Sequence, residues 1–272
     1  NRGSTKVIIA NNKSGLGNRI KSIVSAMRLE NDYRVYWAKN KDLTCKFSDL
    51  FLNNVEVKSI PPGAKTYPSW RLAVLDEDPI PNGFAKITAN RDIAGNKFSF
   101  TCPKLRNIDL EFLRMPESVR SEYVNKFNDL VINPEILERV ESFSKKFNNE
   151  TISVHIRSWS DDVERKSSFH RLENFFASVK SSLNNTTDGN IYLTSDSDYV
   201  KNLFKTKYGS KVLIYDRKTD IATSRFHSEG IKEDFIEMLL LSKNSTIIGT
   251  YLSTYTEVAW WLGGAAAKVK IC

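Results

Sequence analysis

Short apolar runs alternate with longer amphipathic stretches through the second half of this 272-residue chain. The β-branched run TISVHIR at 151–157 predicts a strand. The stretch at 167–183 places Phe169, Leu172, Phe175, Phe176, Val179 and Leu183 at the spacing of one helix face. A strand (NIYLTSD), a helix closed by Gly209 (DYVKNLFKTKYG) and another strand (KVLIYD) follow. Then come a helix (IKEDFIEMLLLSKN), a strand (STIIGT), a helix with a glycine stop (STYTEVAWWLGG) and a last strand (AKVKI). Five short strands separated by four helices predict a parallel sheet, because crossover helices cover both faces and allow the strands to be apolar throughout.

The first half is less regular. It predicts a strand at 6–10, a helix at 18–30 burying Ile20, Ile23, Val24, Met27 and Leu29, and strands at 33–38 and 55–60. Proline and glycine punctuate 61–103, with short strands at RLAVL, FAKITA and KFSFT. Two helices fill 116–147, each with a proline near its start. The polar stretch KFNNE at 146–150 precedes the regular series, which places a boundary between domains 5–148 and 149–272. Both are expected to be α/β. The opening NRGS lacks a methionine, reads as a cloning remnant and is left out of the fold reasoning.

Composition changes this picture little. A hydrophobic fraction of 40% and a charged fraction of 26% suit a soluble globular chain, and no run is long enough to span a membrane. The net charge of +8 reads as a lysine-rich surface or as attraction to an anionic ligand. No dense basic block, zinc spacing or helix-turn-helix signal points to nucleic acid. Cys45, Cys102 and Cys272 are widely spaced and form no C-x-x-C, which suggests reduced thiols and a cytoplasmic location; a Cys45–Cys102 bridge stays open.

In open parallel sheets, ligands bind beyond the C-terminal strand ends. The polar residues at those ends are therefore the candidates. They are Gly15, Gly17, Asn18 and Arg19 after the first strand, and His155 and Arg157, followed by Asp161 and Asp162, at 155–162. Asp196 follows 190–194, Asp216, Arg217, Arg225 and His227 follow 211–215, and Thr250, Ser253, Thr254 and Tyr255 follow 245–249. A hydroxyl-rich helix start offers N–H groups and its dipole to an anion, and an arginine can fork onto the same phosphate. Each has a plainer reading: Asn18, Asp196, Ser253 and Thr254 are good helix caps, and the glycines can serve a turn. His155 and Arg157 resist that, since charge within an apolar strand needs a partner.

Taken in order, GLGNRI, VHIRS, YLTSD and DFIEMLLLSKNSTIIGTYLSTYTEVAWWLGG resemble the motifs of the α1,2/α1,6- and protein O-fucosyltransferases, a family that includes the rhizobial nodulation fucosyltransferase. The resemblance runs from residue 14 to about 264, with little support between 40 and 145. It implies a GT-B-like fold of two Rossmann-like domains facing across a cleft. It also implies GDP-fucose as donor, bound mostly by the C-terminal domain, a glycan acceptor, inversion at the anomeric centre and no metal. By motif, Arg157 would meet the leaving β-phosphate, His155 would line the donor pocket and Asp196 would read guanine or ribose. Ser253, Thr254 and Tyr255 would hold the pyrophosphate, with Gly15, Gly17, Arg19, Thr250 and Arg225 also on the donor side. Asn18 would reach from the opposite domain to the reacting sugar. Asp161 and Asp162 are candidates for a general base, or else a solvated acidic loop.

The chain departs from the family pattern at HIRSWSDD, where a second basic residue or glycine often follows, and at STYT in place of a serine-rich run. These departures bear on the sugar more than on the nucleotide. Another nucleotide sugar on the same fold, or a non-catalytic nucleotide-sugar or glycan-binding module, are the alternatives.

Overall fold

A computed structural model describes residues 7–41, 43–62, 64–67, 72–75, 117–158, 172–250 and 253–272. Its elements form two sheets with helices between and around them.

The first sheet contains β1 (Val7–Ala10), β2 (Tyr33–Val35), β3 (Lys65–Tyr67) and β4 (Leu72–Leu75) in the order β2-β1-β4-β3. β1 and β2 run parallel, with Ile9 opposite Arg34, and α1 (Leu16–Leu29) is the crossover between them. The strand predicted at 55–60 survives as a bridge at Glu56: Val35 N donates to Val55 O at 2.9 Å and Val57 N donates to Val35 O at 2.8 Å. β4 runs antiparallel to β1 and β3, so this sheet is mixed. Only residues 68–71 connect β3 to β4, which is too short for a parallel crossover. β3 has no counterpart in the sequence reading, and FAKITA and KFSFT lie outside the described residues.

α2 (Glu117–Asn128) and α3 (Pro134–Ser144) follow. Asn133 caps α3 by accepting from Glu135 N, and Pro134 takes the first helical position, where no N–H is needed.

The second sheet contains β5 (Ile152–Ile156), β6 (Ile191–Ser195), β7 (Val212–Leu213), β8 (Thr246–Gly249) and β9 (Lys268–Ile271). It is parallel throughout, in the order β7-β6-β5-β8-β9, as the alternating pattern predicts. The crossovers are α4 (Leu172–Leu183), α5 (Asp198–Tyr208), α6 (Ser228–Leu241) and α7 (Thr254–Leu262). The connection order reverses between β5 and β8, and ligands bind such sheets at that point.

Strand alternation divides the residues of this sheet between two faces. Ile152, Val154, Ile156, Ile191 and Leu193 pack with Phe175 and Val179 of α4 and Val200 and Phe204 of α5. Phe175 and Phe204 are wholly buried, a gain of about 1.5–3 kcal/mol for each side chain. Ser153, His155 and Tyr192 turn to the other face, under α6 and α7: Ser153 Oγ donates to Leu241 O at 2.9 Å. A larger core runs from β1 and α1 through α2 and α3 to α6 and α7.

α1 differs most from its expected form. Its apolar stripe predicts one buried face, yet every residue from Leu16 to Met27 except Asn18 is buried, Arg19 and Lys21 included. The helix packs on β1 on one side and on α2 and α7 on others. It also begins at Leu16 with Gly15 as N-cap, two residues before the predicted start.

Candidate functional site

The C-terminal ends of β5 and β8 meet the first turn of α7, on which the first turn of α1 packs in turn. β5 ends at Ile156, so Arg157 lies just beyond the ladder rather than inside the sheet. Its guanidinium pairs with Asp196 at 2.9 Å, while the other oxygen of Asp196 accepts Ser158 N at 2.7 Å. Asp196 is therefore not the cap of α5. That cap is Ser197, whose hydroxyl accepts Val200 N at 3.4 Å. Asp196 instead orients Arg157, which keeps about a third of its side chain exposed at the strand ends.

Thr250 joins the two strand ends. Its hydroxyl donates to His155 O at 3.0 Å and accepts Arg157 N at 2.8 Å. That hydroxyl is fully buried and committed, so Thr250 serves the site by fixing the backbone of Arg157. His155 is buried beside α7, with Nδ1 2.7 Å from Thr256 Oγ1 and its ring 4.7 Å from that of Tyr255. Gly249 is what permits this: a Cβ there would lie 2.2 Å from Thr256 Cγ2 and push α7 away from the strand end.

Burial depresses the His155 imidazole to about 3; Asp196 opposes the shift and Arg157 adds to it. The folded value lies below the ordinary histidine value, so this group contributes stability above about 6.5 that is lost as pH falls toward 3. His155 is expected to stay neutral at working pH and to act by shape and hydrogen bonding. Its ring NMR shifts should be flat from about pH 5 to about pH 8. A titration midpoint near 6.5 would show that the ring is solvated.

The start of α7 is the candidate anion site. Ser253 is its N-cap and returns no side-chain hydrogen bond to the first turn, which leaves the first-turn N–H groups without a cap acceptor. Its hydroxyls are used unequally. Thr256 is held by His155, and Tyr255 OH donates to Asp234 O of α6, so Tyr255 supports His155 instead of presenting a hydroxyl at the strand ends. Ser253 and Thr254 carry the remaining hydroxyls.

The GLGNR segment divides in the same way. Gly15 has ordinary φ and open space beside it. A Cβ on Gly17 would meet Thr254 Oγ1 at 3.0 Å and its carbonyl carbon and oxygen at 3.1 Å. The close approach that needs glycine is thus helix against helix. Asn18 sits in the first turn of α1 and is not its cap, and its side chain has no hydrogen-bond partner among the described residues. Arg19 is buried and donates to Ser14 O, Ala38 O and Lys13 O, with its guanidinium 4.8 Å from the Trp37 ring. It shapes the loop after β1 and has no exposed fork for a phosphate. Lys21 forms a buried 2.8 Å ion pair with Glu257 of α7. With Gly17 beside Thr254 and Lys21 beside Glu257, the two helices run parallel and bring both positive ends to one place.

Arg225 is exposed in the 3-10 turn Ile221–Phe226, and its carbonyl accepts Thr44 Oγ1 at 3.0 Å. Asp161 and Asp162 lie outside the described residues.

Three features escaped the sequence reading. Asn11 Oδ1 and Ser158 Oγ are buried with no hydrogen-bond partner among the described residues, just past the ends of β1 and β5. Buried polar atoms are normally satisfied, so these two are candidate ligand contacts at the strand ends. The third lies beneath the site. Arg217 forms ion pairs with Asp234 at 2.8 Å and Glu237 at 2.5 Å and donates to Gly230 O at 3.1 Å. Arg139 of α3 pairs with Glu229 at 2.5 Å and Glu233 at 3.1 Å. Glu229, Glu233 and Glu237 recur every four residues along α6, and that stripe was legible. The Cys45 thiol is free and buried, and burial pushes it up to about 12; Cys102 lies outside the described residues. No helix among the described residues is long and apolar enough to cross a membrane, and no cluster of three or more His, Cys, Asp or Glu among them could hold a metal ion.

No family model matches the sequence, and no curated protein does. Solved structures do. The fucosyltransferase NodZ from Bradyrhizobium aligns with a TM-score of 0.59 at 16% identity, covering 96% of this chain and 91% of that one. POFUT1 in complex with GDP aligns at 0.54 and 10% identity, covering 97% of each chain. The R284K mutant of Arabidopsis thaliana FUT1, in complex with GDP, aligns at 0.52 and 16% identity, covering 99% of this chain and 70% of that one. NodZ, described as an α1,6-fucosyltransferase, has also been co-crystallised with GDP and soaked with GDP-fucose. Identities this low establish the fold: α/β and GT-B-like.

Proposed function

We propose that this chain, built on the GT-B-like fold of the fucosyltransferases, is a metal-independent inverting glycosyltransferase that transfers fucose from GDP-fucose to a glycan acceptor. The 149–272 half would bind the nucleotide and the 5–148 half would face the acceptor. One observation carries this reading: the parallel first turns of α1 and α7 converge beside an arginine that Asp196 and Thr250 hold in place. The orphaned Asn11 and Ser158 side chains support a polar ligand at the same strand ends.

In the proposed reaction an acceptor hydroxyl attacks the anomeric carbon, and the bond from that carbon to the β-phosphate oxygen breaks. GDP leaves with the electron pair, and the hydroxyl proton passes to a base, for which Asp161 and Asp162 remain the candidates. The transition state places growing charge on the diphosphate. Arg157 and the α7 N-terminus would meet that charge with donors already fixed in position, so little reorganisation is needed. Asn18, with both a donor and an acceptor in its amide, suits a sugar hydroxyl or a phosphate oxygen. The buried free thiol of Cys45 fits a reducing compartment such as the cytoplasm.

The metal-free reading rests on the DSD triplet at 196–198. Asp196 is committed to Arg157 and Ser158, whereas Asp198 is exposed in α5 and pairs with Lys201. These two carboxylates serve different partners. Calorimetry should therefore give binding of GDP in EDTA and much weaker binding of UDP, and GDP-fucose turnover should persist in EDTA. Loss of turnover in EDTA with recovery in Mn²⁺ overturns the metal-free mechanism. Preference for UDP overturns the donor, and tight GDP binding without transfer or hydrolysis points to a binding module.

A further inference from the structure

β1 and β2 run parallel, so the loops that follow them, residues 11–15 and 36–43, leave from one edge of the first sheet. Those loops are laced together. Arg19 donates to Lys13 O and Ser14 O of the first loop and to Ala38 O of the second, and Asn40 Nδ2 donates to Lys13 O at 2.6 Å. Asn40 and Leu43 close the second loop by exchanging backbone hydrogen bonds. Lys13, Lys39 and Lys41 stand exposed on this edge, and none of them has an ion-pair partner among the described residues. Lys13 Nζ reaches over the second loop, 5.8 Å from the centre of the Tyr36 ring. Lys39 acts at longer range on Glu56, whose carboxyl burial raises and Lys39 pulls down. Asp42 lies outside the described residues. The α1 N-terminus opens on the same edge, with no acidic residue in its first turn and no side-chain cap. Its positive end therefore adds to the lysines. Asn11 Oδ1, in the first loop, supplies a buried acceptor with no hydrogen-bond partner among the described residues.

We propose that this edge is the acceptor subsite and that it takes an oligosaccharide carrying carboxylate or sulfate groups, held by Lys13, Lys39 and Lys41. This rests on the division proposed above, in which the 149–272 half binds the nucleotide and the 5–148 half faces the acceptor. The donor diphosphate is assigned to Arg157 and the start of α7, so the three lysines of the other half remain for the second substrate. Like charges on joined loops repel one another and the fold gains nothing from them, whereas an anionic chain lying along both loops meets all three. The lacing by Arg19 holds the loops in place before the acceptor arrives, so little ordering accompanies binding.

The test is calorimetric titration of the whole chain, saturated with GDP, with three hexasaccharides. One is hyaluronan, which alternates glucuronate with N-acetylglucosamine. The second is chondroitin sulfate, and the third is neutral chitohexaose. At least one charged hexasaccharide should bind more tightly than the neutral one, and the two charged arms separate carboxylate from sulfate recognition. Raising the salt from about 0.1 M to about 1 M shortens the screening length from about 10 Å to about 3 Å and should erase that preference. Replacing both lysines of the second loop, Lys39→Ser with Lys41→Ser, should weaken the charged hexasaccharide roughly 25-fold, about fivefold for each exposed unit charge. Lys39→Arg with Lys41→Arg should retain it. GDP titrations of the serine variant report on the other half and should stay within about threefold of wild type. Equal binding of charged and neutral hexasaccharides, or binding of neither, overturns the inference while GDP binding upholds the nucleotide reading. Loss of GDP affinity in the serine variant assigns the lysines to the donor and overturns it as well. Tighter, lysine-dependent binding of a single-stranded RNA oligonucleotide overturns it in favour of nucleic acid. Wild-type protein that does not bind GDP overturns the proposed function, and the acceptor role with it.

Discussion

Replacing Arg157 with alanine is expected to lower kcat for the proposed transfer from GDP-fucose by about 10²–10³-fold, or about 2.7–4 kcal/mol, the loss typical of a fixed donor aimed at developing charge. The fold should persist, because Arg157 lies past the end of β5 and its side chain is partly exposed. Lysine should recover little. The Asp196 carboxylate and the Thr250 hydroxyl hold Arg157 by its side chain and its backbone N–H, and a flexible ammonium cannot present a planar fork from that position. Asp196→Asn should lower kcat less than Arg157→Ala, since the charge remains while its orientation is lost. Steady-state kinetics together with thermal melts of the three variants provide the check. Near wild-type kcat in Arg157→Ala removes this residue from the reaction.

Arg217→Ala is expected to give the largest loss of stability. Its side chain is nearly buried and touches Asp234 and Glu237, with Glu233 at 3.8 Å. Removing one partner of a buried charge set costs about 3–5 kcal/mol, a large part of the roughly 5–15 kcal/mol that holds a domain folded. The pH dependence identifies the cause. Burial raises the Glu237 carboxyl to about 7 in the presence of Arg217, which pulls it down, and burial raises Asp234 as well. A carboxyl with a raised folded value contributes stability that is fully present below its unfolded value and is lost as pH rises through the folded value. The wild-type protein should therefore lose part of its stability as pH rises through about 7. Without Arg217 both carboxyls rise further, so the variant should be weakest at alkaline pH and recover as the medium is acidified toward pH 5. Urea unfolding across this range measures it. A deficit that does not change with pH would mean lost packing rather than uncompensated charge. Activity should fall with stability, because Tyr255 hangs on Asp234 O and supports His155.

Much of the second half was legible in the sequence, because burial on both faces of a parallel sheet requires unbroken apolar strands and intervening helices. Residues 151–157 and 190–195 had to be strands, and the polar residues after them had to lie at one edge. His155, Arg157, Asp196 and the start of α7 accordingly come together where strand order placed them. The first half was less legible. Its strands are three or four residues long, and the mixed pairing of β4 with β1 follows from connection length and long-range contact, which hydrophobic period does not encode.

The sequence alone determined the element types of the second half, the parallel sheet and the set of polar residues gathered at its C-terminal edge. Only the tertiary structure decided what each of those residues does. Arg19 and Arg157 look alike in the chain, yet one is enclosed by three carbonyls and the other stands at the strand ends on Asp196. Thr250, Tyr255 and Thr256 offer the same chemistry as Ser253 and Thr254, but their hydroxyls are consumed by His155, Arg157 N and Asp234 O. Gly17 could have faced a ligand and instead faces Thr254. Periodicity fixes which way a residue points within its own element, whereas its partner comes from an element far away in sequence. The distance to that partner decides whether a polar group is spent on the fold or left for a ligand.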